Sequence, residues 1–298
     1  MYDQIAKNKR ETWALFAGFV LLLGGLVGAF VYAFQAPPVV FIGAMTGLAL
    51  YALFTYLAAD RVILAVSGAR EVTKEEEWEY VRRVENLCIG AGLPMPRTWV
   101  LEDTAPNAFA TGRDPQHAHV VVTRGLLQKL TPAELEAVLA HEISHIANYD
   151  IRVMTVAAVL VGVVALAADV ALRWTFAGSG RRRSNRDRNA GPAQAVLLAL
   201  AVLAAILAPL VAQILKFAIS RRREFLADAS GALLCRNPYA LASALEKIAA
   251  DPEPLEAANK ATAHLYIVNP LKGHESFLNN LFSTHPPIDE RIRILRSM

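Results

Sequence analysis

Cysteine is scarce. Of 298 residues only Cys88 and Cys235 carry a thiol. That excludes a disulfide framework and gives no pointer to an oxidising compartment. Charge is scarce as well: charged residues make up 19% and hydrophobic residues 54%, against about 25% and 45–50% in soluble domains. A disordered chain is excluded, and a purely soluble one fits poorly. Fifteen prolines and 17 glycines are too few for a collagenous or low-complexity chain. No charge sign dominates either. The formal net charge is +3, which calls for no nucleic-acid partner.

What is present is concentrated apolar sequence. Trp13–Phe34 and Val39–Ala59 carry no charge, and each is long enough to span a hydrocarbon core about 30 Å thick as a helix. Gln35-Ala-Pro-Pro38 separates them as a tight turn, so the pair predicts a transmembrane hairpin. Lys7, Lys9 and Arg10 precede it, and Arg61 and Arg70 follow it. The positive-inside rule then places the N-terminus and the chain after Ala59 in the cytoplasm. Val153–Leu172 and Ala195–Leu215 are two further apolar runs and predict a second spanning or near-spanning hairpin. The loop between them holds Arg181-Arg-Arg183, Arg186 and Arg188, which runs against that rule if the loop lies outside. It reads as a solvated or lipid-headgroup loop.

The expected fold class is therefore a mainly α membrane protein: four hydrophobic helices in two hairpins, plus a small α+β domain at the cytoplasmic surface. The expected segments are 1–59 (first hairpin), 60–150 (first part of the soluble domain), 151–219 (second hairpin) and 220–298 (second part). Within the polar blocks, Thr73–Ala91 has helical spacing, and Thr98–Leu101 and His119–Thr123 read as strands. Thr131, Pro132 and Glu134 form a capping-box helix start. Asn237-Pro238 caps a helix to about Ala250, and Pro286 opens a last helix ending near Leu295.

The chemistry lies in His141-Glu142-Ile143-Ser144-His145. At i,i+4 the two histidines share one helical face and can converge on one ion, while Glu142 stands beside the open coordination position as general base. The pattern alone is only fairly specific. Leu135, Val138, Leu139, Ile143 and Ile146 give the helix an apolar side, so it is packed, and its polar groups need compensating partners. A catalytic zinc takes three protein ligands and one water. The best third ligand is Glu224, with Asp228 one turn on accepting an N–H from a liganding histidine, most naturally His141. His117 and His119 are a weaker alternative, and His264 and His274 have no spacing argument. A hairpin between the two ligand-bearing helices returns the chain to the side it left, and so brings them together at the membrane surface. Two imidazoles and a carboxylate favour zinc over other divalent ions.

These motifs resemble the HtpX-type integral-membrane zinc metalloproteases, relatives of the CAAX prenyl proteases, over nearly the whole chain. The matching pieces are the N-terminal hairpin, Asn107-Ala-Phe-Ala-Thr-Gly112, His141–His145 with Asn148 and Asp150, Arg223–Asp228, Tyr266-Ile-Val-Asn-Pro270, and Thr284-His-Pro-Pro287 with Arg291. The resemblance implies that the α+β domain at the cytoplasmic surface is a gluzincin-like zinc protease domain with one Zn²⁺ per chain. It also implies cleavage of misfolded or surplus membrane proteins at cytoplasmic sites, in a bacterial inner membrane, alongside a membrane AAA protease.

On this reading His141, His145 and Glu224 hold the metal, and Glu142 moves a proton from water to the leaving amine. His285 supports the tetrahedral intermediate. Arg291 buttresses Asp228 or Glu224, and Asn148 belongs with them around the ligands. Asn107 and Phe109 lie on a stretch whose strand edge could pair with an extended peptide or membrane-protein substrate. Two rivals share the sequence features: a prenyl-peptide processing protease, and a non-catalytic membrane scaffold with a metal site.

Overall fold

The computed structural model describes residues 6, 8, 10–14, 17–18, 20–21, 24–25, 27–28, 37–157, 221–256, 265–268 and 286–298. Most of the second apolar hairpin, its basic loop and His285 lie outside them.

Helix α1 (Pro38–Ser67) starts from Pro37 in extended conformation and ends at Gly68, whose φ of 70° closes a left-handed cap on Leu64 and Ala65. It runs beyond the apolar stretch expected to stop at Ala59. The extension has a cause: Ala59, Asp60, Ile63, Leu64 and Ser67 recur at helical spacing and are buried, whereas Val39, Ile42, Leu50, Leu53, Phe54 and Leu57 are exposed. Among the described residues no single helix is long and apolar enough to cross a membrane. Phe41–Phe54 and Tyr56–Ser67, bent by 53°, pass that test only together.

Four strands follow: β1 (Arg70–Glu71), β2 (Arg97–Leu101), β3 (Ala108–Gly112) and β4 (Ala118–Thr123). Their order across the sheet is β1-β2-β4-β3. β2 runs parallel to β4, with Trp99 opposite Val121, and β3 runs antiparallel to β4, with Ala110 opposite Val120. β3 is thus an edge strand. Helix α2 (Trp78–Ala91) buries Tyr80, Val81, Val84, Leu87 and Cys88, an apolar stripe of period 3.6. The Tyr80 hydroxyl donates to the Val120 carbonyl at 2.9 Å, which ties the helix to the sheet. Thr123 ends β4 and caps the short helix α3 (Arg124–Lys129) through Leu126 N–H.

Helix α4 (Pro132–Ala147) carries the His-Glu pattern. Thr131 and Glu134 cap each other reciprocally at its start, with Pro132 in the first turn. Its core residues Leu139, Ile143 and Ile146 are buried, each worth about 1.5–3 kcal/mol of transfer free energy. Helix α5 (Arg221–Cys235) packs along α4, and α6 (Pro238–Ala250) and α7 (Ile288–Arg296) complete the layer. The crossing of α4 and α5 depends on Gly231. A Cβ there would lie 2.8 Å from the His141 backbone nitrogen and 2.9 Å from its Cα. No other residue lets the helices come this close.

Among the described residues two apolar clusters stand out. The larger joins α2, the sheet, α4 and α6; the smaller joins Ile63 and Leu64 of α1 to Phe109, Val121, Met154 and Tyr266.

Candidate metal centre

α4 presents His141 and His145 on one face, and their Nε2 atoms lie 3.1 Å apart. α5 brings Glu224 opposite, with Oε1 3.6 Å from His145 Nε2 and Oε2 3.8 Å from His141 Nε2. Three ligand atoms, one from each residue, lie within 4.8 Å of one another. Donors about 2.0–2.1 Å from a tetrahedral ion are roughly 3.3 Å from each other, so this spacing fits one cation.

The groups behind the ligands point the same way. His141 Nδ1 is 2.9 Å from Asp228 Oδ1, and His145 Nδ1 is 3.0 Å from Asp150 Oδ2. Asp150 accepts from His145 Nδ1 and so assigns that ring's proton, with Nε2 left facing inward; Asp228 lies as close to His141 Nδ1 but out of hydrogen-bond alignment. With neutral imidazoles, the buried carboxylates Glu142, Asp150, Glu224 and Asp228 outnumber the buried guanidiniums Arg223 and Arg291 by two. A divalent cation would offset that excess of negative charge.

Burial opposes a charge on His145, yet the Asp150 hydrogen bond and the nearby carboxylates prevail and push its pKa up to about 9. The local field therefore favours positive charge here. At His141, desolvation dominates and the pKa falls despite Asp228. Burial raises Glu142 to about 7, although His145, Arg291 and a hydrogen bond from the Ala110 N–H all favour its ionised form. A carboxyl near neutrality beside the ligands has the proton affinity of a general base.

Arg291 of α7 is fully buried. Its Nε and Nη2 grip Asp228 at 2.8 and 2.7 Å, its Nη1 donates to the Ile267 carbonyl at 2.9 Å, and the same atom lies 3.5 Å from Glu224 Oε2. It thus stands behind both Asp228 and Glu224. Burial raises the Asp228 carboxyl, but the Arg291 charge and hydrogen bonds, with those from His141, bring it below the usual range.

Other residues expected at the site lie elsewhere. The acceptor behind His145 is the Asp150 carboxylate. Asn148 is the C-cap of α4, and its side-chain nitrogen has no hydrogen-bond partner among the described residues. Tyr149, at φ 62°, turns the chain through the left-handed region, so that Asp150 swings back to His145 five residues earlier. The rule that each metal-bound imidazole needs an acceptor for its second nitrogen could have singled out Asp150 from sequence. Phe109 is 1% exposed and packs edge-on to Tyr266 with ring centroids 4.9 Å apart. Asn107 is buried, and its Nδ2 donates to the Val268 carbonyl at 3.0 Å. Both side chains hold β3 in place and face inward. His117 lies in a 3₁₀ turn and pairs with Asp114, whereas His119 accepts from Trp99 Nε1 at 3.0 Å and faces Asp60 at 3.3 Å. They form no shared site. His285, His264 and His274 lie outside the described residues.

Two histidines one turn apart, a glutamate from a second helix and an adjoining carboxylate near neutral pKa make this chain a metallopeptidase. Comparison with known proteins agrees. Residues 74–298 match peptidase family M48, and the chain belongs to that family. A protease HtpX homolog of Dictyoglomus thermophilum is 48% identical over 297 residues, spanning 100% of this chain and 94% of its own length. Another, from Thermoanaerobacter pseudethanolicus, is 43% identical over 307 residues, spanning 100% and 98%. A crystal structure of S. mikatae Ste24p aligns with 96% of this chain and 66% of its own, at 19% identity and a TM-score of 0.49.

Proposed function

We propose that the protein is a membrane-bound zinc endopeptidase. It cuts misfolded or surplus membrane proteins at sites exposed to the cytoplasm and works in parallel with a membrane AAA protease. The observation that carries this reading is the convergence of His141, His145 and Glu224 beside Glu142, on helices that the sequence links through long apolar runs. The exposed apolar face of α1 supports a lipid-facing role for its first half. Two imidazoles and a carboxylate suit Zn²⁺.

His141, His145 and Glu224 would hold the ion. When bound, zinc lowers the pKa of a water and polarises a carbonyl. The chain's own residues do the rest. Asp228 and Asp150 keep the two rings turned with Nε2 inward. Arg291 fixes Asp228 and, through the Ile267 carbonyl, the segment alongside β3; Ile267 N–H in turn donates to the Ala108 carbonyl at 3.0 Å. Glu142 holds the proton taken from the attacking water and returns it to the leaving nitrogen. The edge of β3 near Ala110 supplies main-chain groups to an extended substrate, which reads backbone shape and suits broad specificity. His285 supports the developing oxyanion.

The test is proteolysis in liposomes of phosphatidylethanolamine and phosphatidylglycerol. The full chain is mixed with an unfolded membrane protein and, separately, with a prenylated peptide. Cleavage of the membrane protein that stops with chelator and with Glu142→Gln is expected. Cleavage restricted to the prenylated peptide, or unaffected by Glu142→Gln, overturns the reading.

A further inference from the structure

Among the described residues ahead of the first apolar run, Asn8 and Glu11 bond to groups of the metal centre. Residues 6, 8 and 10–14 are helical, with Ala6 and Arg10 exposed. Asn8 and Thr12, in contrast, are 2% and 1% exposed. Spacing of 8, 11 and 12 puts these side chains on one helical face. Asn8 Nδ2 donates to the Asn148 carbonyl at 2.7 Å and to Asp150 Oδ1 at 2.7 Å. Thr12 Oγ1 donates back to the Asn8 carbonyl at 2.8 Å. Glu11 pairs with Arg223, whose Nε lies 3.6 Å from the same Asp150 oxygen.

Asp150 therefore divides its carboxylate. Oδ2 takes His145 Nδ1, and Oδ1 is held by the N-terminal segment. A buried carboxylate bonded on one side can still rotate about its terminal torsion; bonds on both oxygens stop it. Arg223 immediately precedes Glu224 in α5, so the Glu11 contact steadies the helical turn that bears the third ligand.

We infer that Asn8, assisted by Glu11, is a positioning residue of the metal centre. It sets the orientation of the His145 ring through Asp150, although it lies ahead of the first apolar run and about 140 residues away in sequence. This rests on the reading of His141, His145 and Glu224 as metal ligands. It follows that the N-terminal segment is a working part of the active site as well as a lead-in to the membrane.

The test uses the full chain loaded with Co²⁺. The dissociation constant is measured by chelator competition, and ligand geometry is read from the visible absorption bands. Asn8→Leu keeps the side-chain shape without a donor, Asn8→Ala removes both, and Asn8→Ser retains a donor on a shorter arm. Asn8→Leu and Asn8→Ala are expected to weaken Co²⁺ binding by about 10-fold and to shift the bands, with Asn8→Ser harming least. A fall in melting temperature with unchanged Co²⁺ affinity and unchanged bands would show a merely structural contact and overturn the inference. So would a loss confined to Asn8→Ala. Glu224→Gln run alongside separates the two ideas: if it binds Co²⁺ like the unmodified chain, the metal-centre reading itself fails.

Discussion

Each liganding histidine has its own aspartate, and each aspartate has its own anchor. Asp228 is clamped by Arg291 and Asp150 by Asn8. Removing the carboxylate behind a metal-bound imidazole typically costs 10–100-fold in affinity. Asp150→Ala should therefore weaken metal binding by about that factor while leaving the fold intact, as measured by chelator competition alongside circular dichroism. Glu142 has a different task. It is the proposed general base and not a proposed ligand, so Glu142→Gln should keep full metal content and lose about 10²–10⁴ in kcat. Metal analysis and peptide turnover on one preparation check both halves. Its protonation has a definite sign as well. Burial holds the carboxyl near 7, and a dication beside it favours the ionised form. The Glu142 carboxyl signal in ¹³C NMR should titrate near that value without metal and at lower pH once metal is added.

At the scale of elements, the site exists because two helices touch. Gly231 permits that contact, since its hydrogen occupies space that a methyl would contest with the His141 backbone. Backbone cannot rotate aside as a side chain can, so Gly231→Ala should part α4 from α5, destabilise the protein by about 1–3 kcal/mol and weaken metal binding. Thermal unfolding and metal titration report the two effects. The start of α4 offers a pH-dependent test. Burial raises the Glu134 carboxyl, but hydrogen bonds from Lys247, Ser243 and Thr131 overcome it and hold its pKa at about 2. Because the folded value is depressed, this stabilisation is present above the ordinary carboxylate range and fades as pH falls from about 4.5 towards 2. Glu134→Gln should cost about 2 kcal/mol at pH 7 and little at pH 2, measured by denaturant unfolding.

The legibility of the sequence divides along the same line. Helices with strong end signals were readable: Thr131-Pro-Ala-Glu134 gave the start of α4 and Asn237-Pro238 that of α6, because capping is local chemistry. β3 was readable only as a possible substrate-facing stretch, and all five of its residues are buried. It has no polar alternation to mark it as a strand. α3 follows β4 with no intervening loop. The pairing of His141 with His145 and the choice of Glu224, which the fold brings together, followed from spacing, but the contacts of Asn8 did not. Its partners lie about 140 residues away, and no local pattern reports such a contact.

For the whole molecule, the metal centre sits where several chain segments meet. α4 supplies His141 and His145, α5 Glu224, α7 the buried arginine, and Asn8 bonds Asp150. Joining the buried foot of α1 to Phe109 and Tyr266 couples its exposed apolar half to the strand next to Glu142. An ion binding only the folded chain stabilises it by mass action, so chelation should lower the melting temperature, and re-added Zn²⁺ should restore it. The most direct test of the account is anomalous diffraction at the zinc edge from crystals of the full, catalytically active chain. A single peak bonded to His141 Nε2, His145 Nε2 and a Glu224 oxygen is predicted. A peak at any other residues, or none in protein that still cleaves its substrate, would contradict it.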